Sequence, residues 1–312
     1  MKISVMSGGI ADRFGLERGY AMIRETGFDA IDFNMLDDLE PSDIRAGKYR
    51  GSVYDLPLEK ILEKLAPEFE QQKKNGITVT QAHAPFPAHT PQYPEVYEYM
   101  PMVYEKFIRL CVAMDCKRCV IHGINYIPSA PQDTPEKIDE LNWKLFSGLI
   151  PLLKETGVIV CVENLFVAYS TPRGVNYNPG HCSHAEKAAK FIDDLNQLAG
   201  QECFGLCLDT GHLNLMRLDP VDYITTLGKR IKAMHIHDNN GMTDQHLAPY
   251  NGNIPWIRYL TALRDVGYDG DLSFETFNQI AYIKEDELVP SQLQAISAIG
   301  RLFRKRISGK EE

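Results

Sequence analysis

The sequence predicts an α/β protein, a single (β/α)8 barrel, and three observations lead to it. Short apolar runs with strand character alternate with longer segments of helical period, eight times over. The 312 residues divide into units of about 39, enough for a strand, a helix and their connections. The third to eighth predicted strands each end in His, Asp or Glu, which is where a parallel barrel carries its chemistry. An open doubly wound sheet is the structural alternative. It normally shows a glycine-rich phosphate loop after the first strand, and Gly8-Gly9 alone does not supply one.

The elements follow in order. Ile3 to Met6 is a first strand, and an amphipathic segment follows around Gly19 to Thr26. Phe28 to Phe33 alternates as a second strand. Leu58, Ile61, Leu62, Leu65 and Phe69 have helical spacing, and that helix stops at Asn75-Gly76. Ile77 to Thr80 leads to His83, and a helix runs from about Val96 to Met114. Cys119 to Ile121 leads to His122. Thr134-Pro135 then starts a helix that runs to about Glu155, with threonine as N-cap and proline in the first turn. Val158 to Val162 leads to Glu163, followed by a long loop, 166–182. From this loop Tyr169, Arg173, Tyr177 and His181 are placed to reach over the barrel mouth, or to serve a subunit contact. Ser183 begins a helix to about Leu198, and Phe204 to Leu208 leads to Asp209 and His212. Asp219-Pro220 starts a short helix, and Ile231 to Ile236 carries His235 and His237. Ile254 to Val266 is helical, Leu272 to Phe274 leads to Glu275, and a helix at about 290–307 closes a single domain spanning 1–312.

Composition narrows the class. Apolar residues make up 44% and charged residues 24%, as in a globular protein with ample core. The net charge of -9 argues against a nucleic-acid surface, which needs clustered Lys and Arg. The basic residues Arg301, Arg304, Lys305 and Arg306 read as the solvated end of the last helix. Seven cysteines are scattered, several in apolar runs (Cys161, Cys203, Cys207), and Cys116 and Cys119 form a lone CxxC. A reduced cytoplasmic protein is expected, with neither a membrane span nor a signal-peptide pattern.

The polar strand ends point to a metal. Glu163, Asp209, Glu275 and one histidine of the seventh strand would surround the barrel axis, and carboxylates with imidazole suit hard and borderline cations. His235 and His237 face the same side of their strand. His235 is assigned as ligand and His237 as pocket wall, with the reverse left open. No cysteine is expected in this layer. One divalent ion follows, with Mn, Mg or Co favoured and Zn compatible. Two glutamates beside such an ion can also remove and return a proton next to a carbonyl, the apparatus of isomerisation or epimerisation through an enediolate.

Several motifs together resemble the xylose-isomerase-like barrel superfamily, within it the sugar phosphate isomerase/epimerase group that shares its fold with endonuclease IV. The motifs are AHAPF (82–86), IHG (121–123), VEN (162–164), LDTGH (208–212), MHIHD (234–238), DQHLAPYNGNIPW (244–256) and FET (274–276). The resemblance implies metal ligands at Glu163, Asp209, His235 and Glu275, with Glu163 and Glu275 as the catalytic acid/base pair. It implies His212 and His246 as substrate contacts. His83, His122, His237 and Asp244 complete the expected substrate wall. A small carbohydrate is the implied partner; the resemblance allows a homo-oligomer, since relatives are often dimers or tetramers, and leaves the oligomeric state open; keto-sugar dehydratases and lyases use the same site.

Two departures stand out. Ketose 3-epimerases carry an arginine about six residues after the strand 7 histidine, where this chain has Gly241. Tyr250 stands where many relatives have glycine, and a narrowed or re-floored pocket is expected from it. A phosphate on the substrate would call for clustered cations, and Arg173 alone offers one, so an unphosphorylated substrate is expected. The competing class is a zinc phosphodiesterase like endonuclease IV. Its ligand types are present at His83, His122, Glu163, Asp209, His212, His235, Asp244, His246 and Glu275.

Overall fold

The computed structural model describes residues 1–34, 39–130, 133–172 and 174–309; Arg173 therefore lies outside the described residues. Among the described residues ten strands are present: β1 (Ile3–Met6), β2 (Ala30–Asn34), β3 (Thr78–His83), β4 (Arg118–Ile121), β5 (Ile159–Glu163), β6 (Phe166–Thr171), β7 (Gly174–Pro179), β8 (Phe204–Asp209), β9 (Ile231–His235) and β10 (Leu272–Phe274). Eight of them form one parallel sheet in the order β10-β1-β2-β3-β4-β5-β8-β9. The ring closes where Ile236 pairs with Phe274. There the Ile236 amide donates to Ser273 O at 2.8 Å and the Glu275 amide to Ile236 O at 3.1 Å. The expected (β/α)8 barrel is what the chain forms.

Side-chain alternation along the strands divides the apolar residues into two cores. Outward residues such as Val160, Val162, Leu206, Leu208, Ile236 and Phe274 pack against the helices in one large cluster. Inside the barrel a small separate plug forms from Val120, Cys161, Cys207 and Ala233. The polar strand ends rest on this plug. All seven cysteines are free and buried, as their apolar surroundings in the sequence suggested.

The long helices start and stop as the sequence predicts, within a few residues. Thr134 accepts from the Lys137 amide at 3.2 Å and caps the helix Pro135–Thr156. Asp219 accepts from the Val221 amide at 2.8 Å at the head of Pro220–Leu227. The last helix, Val289–Ser308, buries Leu293, Ile296 and Phe303 against the sheet. Short helices at Ile10–Phe14, Thr210–Leu215 and Phe277–Ala281 were not expected. Each follows a barrel strand on the face where the polar residues gather. Among the described residues no helix is long and apolar enough to cross a membrane.

The segment read as a loop is instead an antiparallel hairpin. β6 and β7 pair from Phe166↔Pro179 to Thr171↔Gly174. Most of its residues are exposed, so no buried face writes an apolar alternation into the sequence. His181, expected over the mouth, lies at the hairpin's base. Its ring stacks on Phe146 (6.2 Å, 3°) and meets Phe191 edge-on at 5.0 Å. It also packs on Gly123, where a Cβ would come within 2.0 Å of the ring.

Burial pushes the His181 imidazole from 6.5 down to about 4. Because the folded value is the lower one, the unfolded chain binds the extra proton between those two pH values. Folding stability therefore falls as pH drops from 6.5 towards 4. At about 1.4 kcal/mol per pKa unit the full effect is on the order of 3 kcal/mol. Urea unfolding of wild type and His181→Phe across this range should show a shallower acid-side loss in the variant; equal slopes would remove His181 as a cause.

Candidate metal centre and active site

A cavity of about 860 Å³ opens at the face where the barrel strands end. Glu163, Glu275, His83, His122, His212, Asp244 and His246 all line it. Asp209 and His235 lie deeper, fully buried, and form the floor. The residues the sequence placed at successive strand ends thus converge on one site.

At the floor, His235 Nδ1 faces three carboxylates: Glu163 Oε2 at 3.4 Å, Glu275 Oε2 at 3.8 Å and Asp209 Oδ2 at 4.0 Å. Among the described residues neither ring nitrogen of His235 has a hydrogen-bond partner, and Glu163 Oε2 has none. His122 Nε2 is 2.9 Å from that oxygen but not aligned to donate. Buried polar atoms left without partners are costly, so their concentration at one point calls for a group to satisfy them. Ligand atoms of Asp209, His235 and Glu275 lie within 4.8 Å of one another, close enough to share one ion. Three carboxylates and one imidazole are a donor set that fits a divalent cation.

The other face of His235 brings in a residue that sequence reasoning missed. Its Nε2 is 3.3 Å from Asp32 Oδ2, across the barrel on β2. Asp32 is fully buried and is held by Gln81 Nε2 (2.7 Å) and Ser273 Oγ (3.1 Å). A carboxylate behind a ligating imidazole fixes its tautomer and orientation. The available signal was an acidic residue inside an apolar strand, AIDFN; a lone Asp in the second of eight strands carries little information without its partners.

Around the floor stand the remaining histidines. His83 Nδ1 donates to Ala84 O at 2.9 Å, which turns Nε2 towards His122 Nε2 at 3.1 Å. His212 Nδ1 donates to Asn164 O at 2.9 Å, leaving Nε2 3.8 Å from Asp244 Oδ2. Burial disfavours the charged form of His212, but Asp209, Asp244 and Glu163 outweigh it and push its pKa up to about 10. His246, at φ 46°, donates from Nδ1 to Glu275 O at 3.1 Å, and its Nε2 lies 3.1 Å from Asp244 Oδ2. That left-handed backbone is unusual for a histidine and is sustained by what surrounds it.

The surroundings are organised by buried Asp238. Its two oxygens accept from the amides of Asn239 (2.9 Å), Ile254 (3.1 Å) and Tyr250 (2.9 Å) and from Trp256 Nε1 (2.9 Å). One carboxylate thus folds the whole loop that presents Asp244 and His246. Gly252 permits the close approach, since a Cβ there would meet Asn239 O and Asp238 Oδ1 at 2.3 Å.

Three expectations change. His237 is not pocket wall: it is buried behind His246, stacked at 4.0 Å, with Nε2 3.0 Å from both Asp209 oxygens. Gly211 makes room for it, because a Cβ there would lie 2.0 Å from the ring. Tyr250 does not narrow the pocket. Its φ of 73° preserves the glycine-like turn and sends the half-exposed ring towards Trp256 and Phe303. A cysteine does reach the layer of Glu163 and His235: Cys207 Sγ groups with both. It precedes Asp209 by two residues and so shares its inward face; burial raises its pKa well above the usual thiol range, leaving it protonated. Of the hairpin residues, Tyr177 packs on Phe166 at 5.0 Å, and Phe166 in turn meets His212 edge-on at 4.8 Å.

A parallel eight-stranded barrel with a carboxylate–histidine cluster at its strand ends is the class that fold and site define, and the chain belongs to the xylose isomerase-like TIM barrel family, whose model matches residues 20–299. Among curated proteins it is 28% identical over 188 residues to the uncharacterized protein MJ1311 of Methanocaldococcus jannaschii, covering 59% of each chain. It is 32% identical over 92 residues to a D-psicose 3-epimerase of Enterocloster bolteae, covering 30% of this chain and 28% of that protein. The chain spans less than two thirds of the length of the curated relatives it matches. A solved D-tagatose 3-epimerase-like protein superposes with a TM-score of 0.70 at 23% identity, over 99% of both chains.

Asp32→Asn should weaken divalent-ion binding by about 10–100-fold through loss of the charge behind His235. Competition against a chromophoric chelator reads this directly, and an unchanged affinity would remove Asp32 from the site.

Proposed function

We propose that the chain is a divalent-metal-dependent isomerase or epimerase of a small sugar, keto-sugar or cyclitol, acting by proton transfer next to a carbonyl. The observation that carries this reading is the pair of cavity-facing glutamates, Glu163 and Glu275, flanking the buried floor of Asp209 and His235. Glu163, Asp209, His235 and Glu275 would hold the ion. Bound there, it supplies polarisation of the substrate carbonyl and stabilisation of charge on its oxygen. Relatives among the D-psicose 3-epimerases support a ketose as the first substrate class to test.

The residues divide the proton work. Burial raises the proton affinity of Glu163, but His235 and His122 outweigh it; for Glu275, His235 and His246 do the same. Both carboxylates are therefore held below the usual range and ionised, and each is a base for a carbon-bound proton in reach. Returning a proton on the other face needs a donor. His246 serves Glu275: its Nδ1 is 3.4 Å from Oε2, and Glu275 and Asp244 keep it charged against the cost of burial. His83, His122 and His212 line the cavity beside the carboxylates and are placed to hold hydroxyls and exclude water. Keto-sugar dehydratase and lyase chemistry begins with the same proton removal. Gly241, where the ketose 3-epimerases carry arginine, means that hydroxyl recognition must come from other residues.

A second reading, metal-dependent phosphodiester hydrolysis, is favoured by one observation. Beyond the floor, His83–His122–Glu163, Asp209–His212–His237 and His237–Asp244–His246 also group within ligand distance. Metal analysis separates the two readings: about one ion per chain for the isomerase and about three for the hydrolase. In deuterated water a keto-sugar should gain deuterium next to its carbonyl. Glu275→Gln should slow that exchange by about 10²–10⁴-fold with metal only partly lost. Absence of exchange with every sugar, together with cleavage of abasic DNA, would replace the first reading by the second.

A further inference from the structure

We propose that the barrel floor carries a second ligand set, Glu163, Cys207 and His235, which takes a thiophilic divalent ion such as Zn²⁺ or Cd²⁺, and that an ion held there excludes the oxygen-ligated ion proposed above. This set rests on the metal reading of the floor and not on the sugar chemistry. Ligand atoms of the three residues lie within 4.8 Å of one another, and each residue is exposed by 1% or less. Sulfur is the donor that the neighbouring group of Asp209, His235 and Glu275 lacks.

Strand register brings the thiol to this point. Between β5 and β8, Glu163 stands opposite Cys207; between β8 and β9, Asp209 stands opposite His235. The floor therefore has two levels. Cys207 lies below Asp209 on the same inward face, about 7 Å down the strand. Glu163 starts on the lower level beside Cys207, and its longer side chain reaches to 3.4 Å from His235 Nδ1. Ala233 is the residue beside Cys207 on β9, and its single methyl leaves the thiol a path to His235, two residues further on.

Donor chemistry and charge both suit a soft or borderline cation. Replacing a carboxylate oxygen by sulfur shifts preference from Mg²⁺ and Mn²⁺ towards Zn²⁺ and Cd²⁺. Around a dication, the Glu163 carboxylate and a Cys207 thiolate sum to zero, the balance a dry site tolerates best. Glu163, Asp209 and Glu275 together would leave one negative charge over. Among the described residues Glu163 Oε2 and both His235 nitrogens have no hydrogen-bond partner, so these donors give up no internal bond on ligation. The thiol proton is displaced as the sulfur–metal bond forms, and it leaves to water through the cavity that Glu163 lines.

Two cations cannot use the floor together, because His235 enters both sets. A thiophilic ion on the lower level takes His235 and Glu163 away from Asp209 and Glu275. Cys161 supplies the contrast. It lies in the same apolar plug as Cys207 and precedes Glu163 as Cys207 precedes Asp209, by two residues. Yet among the described residues it joins no ligand group, and packing accounts for it fully.

The test titrates metal-free full-length protein with Cd²⁺, whose bond to a thiolate absorbs in the ultraviolet, and with Mn²⁺, followed by electron paramagnetic resonance. Wild type and Cys161→Ala should show the sulfur-to-cadmium band, saturating at one ion per chain. Cys207→Ala should lose the band, and so should Cys207→Ser, which keeps the side-chain volume should the alanine variant fold poorly. In wild type Cd²⁺ should release bound Mn²⁺ one for one. In the Cys207 variants the Cd²⁺ needed should rise by at least about tenfold, the least that loss of even an outer partner of a metal costs. A band that survives without Cys207, or Cd²⁺ binding to wild type without a band, overturns the sulfur set and leaves the metal reading intact. Cd²⁺ and Mn²⁺ bound together overturn the exclusion. A Cys207-dependent band without Mn²⁺ binding supports the sulfur set and overturns the oxygen-ligated ion. Failure of both ions to bind overturns the set and the metal reading together.

Discussion

Everything at the mouth of this barrel follows from burying acids. Glu163, Asp209, Asp32 and Glu275 sit at or near zero exposure, where an isolated carboxylate would be strongly disfavoured. The chain compensates with imidazoles rather than with Lys or Arg. His83, His122, His212, His237 and His246 each lie within 4 Å of one or more of these acids, and His235 reaches all four through its two nitrogens. Imidazole can change its proton state and can ligate, which a guanidinium cannot. The compensation therefore remains partial and adjustable, and the orphaned nitrogens of His235 are the visible remainder.

The barrel was legible in the sequence because its strands are buried on both sides and its helices are amphipathic, so both periods are written in the apolar residues. The polar strand ends were legible for a related reason: His83, His122, Glu163, Asp209, His235 and Glu275 each end an apolar run, and position alone singles them out. Asp32 and Gln81 escaped because their importance lies in pairings with residues far along the chain, such as Gln81 with Met234 and Asp32 with Ser273; Asp238 escaped because its partners are backbone amides and an indole of an irregular loop, which no residue pattern announces. The hairpin escaped because an exposed two-stranded ribbon needs no apolar face. His237 and Tyr250 were misread for a finer reason: residue type and spacing give the side of a strand or turn, whereas depth is decided by neighbours, here Gly211 and His246, or Trp256 and Phe303.

The loop from Asp238 to Trp256 shows how a fixed scaffold supports irregular backbone. Asp238 spends both oxygens on amides and one indole, and its own amide and carbonyl pair with Leu247 at 2.7 and 3.0 Å. With those bonds made, positive φ at His246 and Tyr250 is held in place by the rest of the loop. Precision at the site is thus inherited from a carboxylate that faces away from the cavity.

The closure of the barrel has a consequence of its own. The sheet's seam lies between β9 and β10, where a single bridge, Ile236 to Phe274, joins strands that elsewhere pair over several residues. His235 stands on one lip of that seam and Glu275 on the other. A cation held between the two, as proposed, would be a rivet across the weakest join in the ring. At a hundredfold excess over its dissociation constant it would contribute about 2.7 kcal/mol to the folded state. In such an arrangement, the occupancy of the site and the mechanical integrity of the barrel become one quantity.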